Sequence, residues 1–231
     1  MTSSLFRIGL LVIAACAVVA PACTRAPGTE VTFRTRDGFL LEGTVFGSGD
    51  KGVVLAHMRG SNQTSWAPYA RELTRDGYLV LTFNFRGYGR SEGSRQSALL
   101  GRDVVAAATF LREKRGIEKP ALVGASMGGT AALVAAQDND ISGVVTLSAP
   151  ANFEGLDALS VVGSLTMPKL LLASNEDEAA STSAEELYKA ASPPRQIEIL
   201  AGSTHGTDML SGREGKQAKR LIQTFLEGSE G

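Results

Sequence analysis

Cysteine and histidine are scarce in this chain, and their scarcity removes whole classes of chemistry. Of 231 residues only two are cysteine, Cys16 and Cys23, both near the amino terminus. The rest of the chain can therefore form neither a disulfide framework nor a thiolate metal cluster. The two histidines, His57 and His205, stand far apart in sequence and offer a poor ligand set, so no metal and no cofactor is expected. Neither sign of charge is in excess: 23 Lys and Arg against 24 Asp and Glu leave a formal net charge of -1. No window clusters basic residues, which excludes the electrostatic footprint of a nucleic-acid-binding protein. Long apolar runs are also missing, with one exception at the start, from Ile8 to Ala20.

That exception reads as an address. One arginine precedes the run, and Pro21-Ala22-Cys23 follows it, the order of a secretory signal peptide. The run is shorter than the roughly 20 apolar residues of a comfortable spanning helix. Two cleavage readings stand. Ala20-Pro21-Ala22 suits ordinary signal peptidase, while Ala-Pro-Ala-Cys is similar to a bacterial lipoprotein box that would make Cys23 a lipidated first residue. The box at Cys16 would leave too short an apolar stretch. The expected organisation is a signal peptide over residues 1–22, a tether over 23–30 and one catalytic domain over 31–231. The protein is then exported to the cell envelope and touches a membrane only through its N-terminal anchor.

What remains is the composition of an ordinary globular enzyme, 43% hydrophobic and 20% charged. Alternation predicts strands over residues 31–36 and 40–46, joined by Asp37-Gly38, as an antiparallel pair. Short apolar runs predict buried parallel strands at residues 52–57, 78–83 and 121–124, and further strands are read at 143–147, 169–173 and 196–200. Helical spacing predicts helices near residues 67–75, 98–115 with Ser97 as N-cap, 129–137, 184–191 and 214–226. Strands alternating with helices give an α/β fold, a mostly parallel eight-stranded sheet covered on both faces.

Between the strand at 121–124 and the next helix lies Gly124-Ala125-Ser126-Met127-Gly128-Gly129. This Gly-x-Ser-x-Gly elbow projects a serine hydroxyl from a turn too tight for neighbouring side chains. A phosphate-binding loop would need lysine where Thr130 stands. A serine hydroxyl is a weak nucleophile until a base takes its proton, and His205, past the last predicted strand, follows the order nucleophile, acid, histidine. The acid that orients it is expected at Asp177, with Glu176 as first substitute and Asp157 as a remote one. Two backbone N–H donors must then meet the oxyanion. One is Met127. The other comes from the loop His57-Met58-Arg59-Gly60, with Arg59 the better candidate and Met58 next.

Taken together, the His57-Met58-Arg59-Gly60 loop, Arg86-Gly87-Tyr88-Gly89-Arg90-Ser91, the Ser126 elbow, Asp177 and His205-Gly206-Thr207 resemble the α/β-hydrolase superfamily over the whole folded part. The resemblance extends to its dienelactone-hydrolase-like and carboxylesterase-like members. It implies a serine hydrolase acting on small-molecule esters or thioesters. Serine peptidase or amidase chemistry, or a non-catalytic envelope binding protein on the same scaffold, are the alternatives. Two departures stand out. The family's usual His-Gly is His57-Met58 here, which leaves His57 structural, and only about 20 residues separate Pro150 from Lys169, too few for a sizeable lid domain.

Overall fold

The computed structural model describes residues 28–137, 140–211 and 213–229. The expected signal peptide and Cys23 lie outside the described residues. Among those described, no helix is long and apolar enough to cross a membrane.

Among the described residues ten strands and six α-helices are formed. The strands are β1 (Thr29–Arg34), β2 (Leu40–Phe46), β3 (Lys51–Ala56), β4 (Tyr78–Phe83), β5 (Ala121–Ala125), β6 (Val144–Leu147), β7 (Asn152–Phe153), β8 (Leu156–Asp157), β9 (Lys169–Ser174) and β10 (Arg195–Leu200). The helices are α1 (Ala67–Leu73), α2 (Leu100–Arg115), α3 (Met127–Ala135), α4 (Leu159–Val162), α5 (Glu178–Ala190) and α6 (Gly215–Gly228). Eight strands build one sheet in the order β1-β2-β4-β3-β5-β6-β9-β10. β2 pairs antiparallel with both β1 and β4, and every other neighbour is parallel.

The interior strands are near-continuous aliphatic runs because both of their faces are covered. On one face α2, α3, α4 and α5 bury Val104, Leu111, Leu133, Val162 and Leu187 against the sheet. On the other, α1 and α6 bury Tyr69, Leu73, Ile222 and Phe225. Each such side chain contributes about 1.5–3 kcal/mol by leaving water, which is how the domain holds together without a disulfide.

The structure departs from the sequence-based expectation in four places. β1 starts at Thr29 and ends at Arg34, because that register sets Phe33 opposite Leu41 in the core; Thr29 and Glu30, expected in the tether, pair in the sheet. Ser97 does not cap α2: it opens a short 3-10 turn, and its hydroxyl donates to Glu154 at 2.6 Å. α5 begins at Glu178, six residues before the expected start, since Ala180, Ala184 and Leu187 already form a buried stripe. The interval between β6 and β9, expected to be too short for a sizeable lid domain, forms elements that were not expected, the β7–β8 hairpin and α4. Its two-residue turn, Glu154-Gly155, has positive φ at both positions (45° and 91°), as tight hairpins require.

Candidate active site

Parallel strands end together at one edge of such a sheet, and loops leaving that edge are where ligands bind in open α/β folds. The chain delivers its candidate site residues there. Ser126 follows β5, Asp177 follows β9, His205 follows β10, and His57 follows β3.

Ser126 sits between β5 and α3 at φ 48°, ψ -120°, a conformation that costs on the order of 1–3 kcal/mol for a residue with a side chain. Neighbouring packing enforces it. The Ser126 N–H donates to Leu147 O at 2.8 Å, and its carbonyl accepts from Gly129 and Thr130 at 2.8 and 3.1 Å. The glycines are obligatory for space: a Cβ on Gly128 would lie 2.3 Å from Ala56 O and 2.6 Å from His57 O, and one on Gly124 would lie 2.3 Å from Gly128 O. The Ser126 side chain caps no helix amide, so its hydroxyl is not committed to α3.

His205 Nδ1 and Asp177 Oδ2 are 2.6 Å apart. The contact uses one ring nitrogen and leaves Nε2 on the opposite side of the imidazole. The His205 side chain is 47% exposed and Asp177 17%. Asp177 rather than Glu176 meets the histidine. Asp157 lies elsewhere, in β8, where its carboxylate accepts the Ser160 N–H at 3.0 Å. The next residue, Gly206, closes the loop onto the elbow. A Cβ at that position (φ 58°) would stand 3.5 Å from Ala125 Cβ and 2.7 Å from Met58 Sδ, so the histidine loop packs between the residue before Ser126 and the loop after β3.

Met127 opens α3, and its amide is one of the first-turn donors that a helix cannot satisfy internally; the helix N-terminus favours negative charge beside it. In the loop after β3, the Ser61 N–H donates to Met58 O at 3.3 Å. The Arg59 side chain turns outward, 60% exposed, with Nη1 2.7 Å from Glu154 Oε1 and its guanidinium 5.4 Å from the Phe153 ring centroid. Any part Arg59 plays at an oxyanion is thus through its backbone.

His57 is fully buried. Its Nδ1 is 2.9 Å from Met58 O and its Nε2 accepts the Phe85 N–H at 3.3 Å, which assigns the neutral tautomer with the proton on Nδ1. Burial, above all, lowers its pKa to about 4, against the opposing pull of the Met58 carbonyl; the nearby Arg95 charge lowers it further. The ring stands edge-on to Phe85 and Tyr88, at 5.0 and 4.8 Å between centroids. His57 therefore fastens the β3 loop to the loop after β4.

Pattern reading overlooked the residues that support His205 and Asp177. Asn175 Oδ1 accepts the Gly202 N–H at 2.8 Å, and the Glu176 N–H returns to Gly202 O at 2.9 Å. Ser174 Oγ donates to Thr204 O at 2.7 Å, and the Thr204 hydroxyl donates to the Glu214 carboxylate. Nothing in periodicity or motif marks these four side chains. Two concavities lie elsewhere, one of about 840 Å³ at the opposite sheet edge beside Lys51 and Pro168, the other of about 520 Å³ between α2 and the β1–β2 turn. Neither reaches Ser126.

A family model described as alpha/beta hydrolase fold matches residues 52–173, just over half of the chain. An uncharacterized protein named YfhR from Escherichia coli O157:H7 is 23% identical over 227 residues, covering 85% of this chain and 80% of its own. Among solved structures, an esterase from Pyrococcus furiosus superposes with a TM-score of 0.78 at 20% identity, covering 89% of this chain and 94% of that one. A dienelactone hydrolase from Anabaena variabilis superposes with a TM-score of 0.74 at 19% identity, covering 88% and 98%. Likeness at these identities concerns the fold.

Proposed function

Because the chain belongs to the α/β-hydrolase family, we propose that it is a serine hydrolase cleaving carboxylic ester or thioester bonds through an acyl-enzyme. The observation that carries this reading is the 2.6 Å contact between His205 Nδ1 and Asp177, on a loop packed against the strained Ser126 turn.

In this mechanism Ser126 Oγ attacks the carbonyl carbon while His205 Nε2 accepts its proton. Asp177 holds the imidazole in the tautomer with the proton on Nδ1 and stabilises the imidazolium that forms. The backbone N–H groups of Met127 and Arg59 meet the oxyanion; removing such a donor typically costs about 10²–10³ in rate. His205 then protonates the leaving alcohol or thiol. Water, deprotonated by the same nitrogen, attacks the acyl carbonyl and frees Ser126. No step needs a metal or cofactor.

The test is covalent labelling with a fluorophosphonate, comparing wild type with Ser126→Ala, followed by nitrophenyl esters of increasing acyl length. Label confined to wild type is expected, with ester turnover lost in the variant. Labelled protein that cleaves amides faster than esters would favour the peptidase or amidase reading. Folded wild type that takes no label would replace catalysis with the binding-scaffold reading. Export to the envelope with lipidation at Cys23 is part of the same proposal. Metabolic labelling with a radioactive fatty acid, present in wild type and absent from Cys23→Ala, is the expected outcome; equal labelling would sink it.

A further inference from the structure

The loop that presents His205 has almost nothing apolar to hold it. Residues 201–205 are all exposed or half-exposed, and burial resumes only at Gly206. A surface loop of this kind keeps one conformation only through its hydrogen bonds; most of them run to the acid loop at 174–177, and one, from Thr204, ends on a buried carboxylate.

Glu214 precedes α6 and is 5% exposed. Its backbone carbonyl accepts from Gln217 and Ala218, both at 2.9 Å, which fixes it to the helix. Its carboxylate accepts the hydroxyl of Thr204, the residue immediately before His205. The Thr204 carbonyl accepts Ser174 Oγ at 2.7 Å, while the Ser174 carbonyl accepts the Asp177 N–H at 3.1 Å. One chain of bonds, Glu214 to Thr204 to Ser174 to Asp177, therefore joins α6, the histidine loop and the acid loop. A buried carboxylate costs solvation that an apolar side chain at this position would not. What it provides in return is direction, because a carboxylate only accepts and so fixes which way the Thr204 hydroxyl points. Hydrogen bonding to Thr204 also holds the carboxyl below the ordinary glutamate range despite its burial, which keeps it an acceptor at neutral pH.

We propose that Glu214, acting through Thr204, is a positioning residue that sets the orientation of His205 toward Asp177 and Ser126. The proposal rests on the serine-hydrolase reading above. Glu214 touches neither substrate nor reacting atoms, and its effect appears in turnover rather than in substrate binding.

The experiment measures kcat and KM for nitrophenyl acetate, the pH profile of kcat/KM and the rate of fluorophosphonate labelling. The proteins are wild type, Glu214→Gln, Thr204→Val, Thr204→Ser and the Glu214→Gln/Thr204→Val double variant, with Ser126→Ala as reference and thermal unfolding as the check on folding. Misorienting the base is expected to lower kcat and the labelling rate by roughly tenfold to a hundredfold, with KM within about twofold. The double variant should lose less than the product of the two single losses, since both remove the Thr204–Glu214 link, while Glu214→Gln also alters the carboxylate's 3.3 Å contact with Ser174 Oγ. Thr204→Ser, which keeps the hydroxyl, should restore wild-type turnover and pH profile. Folded Thr204→Val with wild-type kcat and labelling rate overturns the proposal, as does a double variant whose losses multiply; Thr204→Val is nearly isosteric and decides the matter if Glu214→Gln does not fold. Turnover in Ser126→Ala, or no label on wild type, would overturn the serine-hydrolase reading itself. Normal wild-type labelling with unaffected variants removes only the role of Glu214.

Discussion

Lowering the pH should destabilise this protein through His57, and the amount can be worked from its surroundings. The ring is fully buried, its Nε2 is occupied as an acceptor, and its pKa falls to about 4 in the folded state. In the unfolded chain an imidazole titrates near the ordinary 6.5. A folded pKa below the unfolded one means that the unfolded state binds the proton first, so stability is full above about pH 6.5 and is lost as pH falls toward about 4. Between pH 7 and pH 5 the two pKa values give a loss of about 2 kcal/mol from this one group, rising to about 3 kcal/mol by pH 4. The assay is urea unfolding at pH 7 and pH 5 for wild type and His57→Gln, whose amide can still accept near the Phe85 N–H but does not titrate. Carboxylates and His205 are common to both proteins, so the difference between the two pH dependences isolates His57. Proton NMR gives an independent reading, because the chain has only two histidines. Parallel pH dependences, or a buried imidazole titrating near 6.5, would refute the argument.

Four further outcomes are expected. Asp177→Asn should leave the fold intact yet lower kcat by about 10⁴-fold, as expected for loss of the correct histidine tautomer; a loss below tenfold in ester turnover would move the acid role elsewhere. Gly128→Ala should abolish turnover and lower the melting temperature, because the new Cβ would meet the carbonyls of Ala56 and His57 at 2.3 and 2.6 Å; a fully active, stable variant would contradict that packing. Arg59→Ala should change kcat by only a few-fold, since its side chain points out to Glu154 and its exposed ion pair contributes roughly 0–1 kcal/mol; a hundredfold loss in steady-state assays would assign the guanidinium a direct role. Asp103→Ala should destabilise the protein by about 3–5 kcal/mol, because it leaves the fully buried Arg86 with Asp37 alone. Denaturant midpoints at neutral pH check this, and a loss under 1 kcal/mol would show that Asp37 suffices.

Much of the architecture was legible because the forces behind it act locally. Buried parallel strands must be aliphatic runs, so β3, β4, β5, β6 and β9 announced themselves, the antiparallel β1–β2 pair showed in its alternation and turn, and the elbow is visible because only small residues fit around Ser126. Elements governed by tertiary contacts were misread. α5 starts at Glu178, although Ser181-Thr182-Ser183 has weak helical propensity, because Ala180 and Ala184 pack against β9 and β10. Ser97 has the chemistry of a helix cap and uses it instead on Glu154, a partner 57 residues away. The β7–β8 hairpin is two residues per strand, too short for any alternation to register.

The same distinction separates Ser126 from the residues around it. The Ser126 turn is packed so closely on its own helix and on β3 that a Cβ on Gly124 or Gly128 would lie 2.3–2.6 Å from backbone carbonyl oxygens, and such constraints leave a signature in neighbouring residues. The loops that carry His205 and Asp177 are held differently, by side-chain hydrogen bonds in which Ser174 and Thr204 donate and Asn175 and Glu214 accept, residues drawn from three segments up to 40 residues apart. Each of those side chains is ordinary at its own position and acquires a role only when β9, β10 and α6 come together. In the proposed mechanism, a tightly packed Ser126 turn and a His205 carried on a hydrogen-bonded surface loop place the site's susceptibility to mutation on the loop's side. Substitutions that merely loosen residues 201–205 should therefore reduce turnover long before they reduce stability.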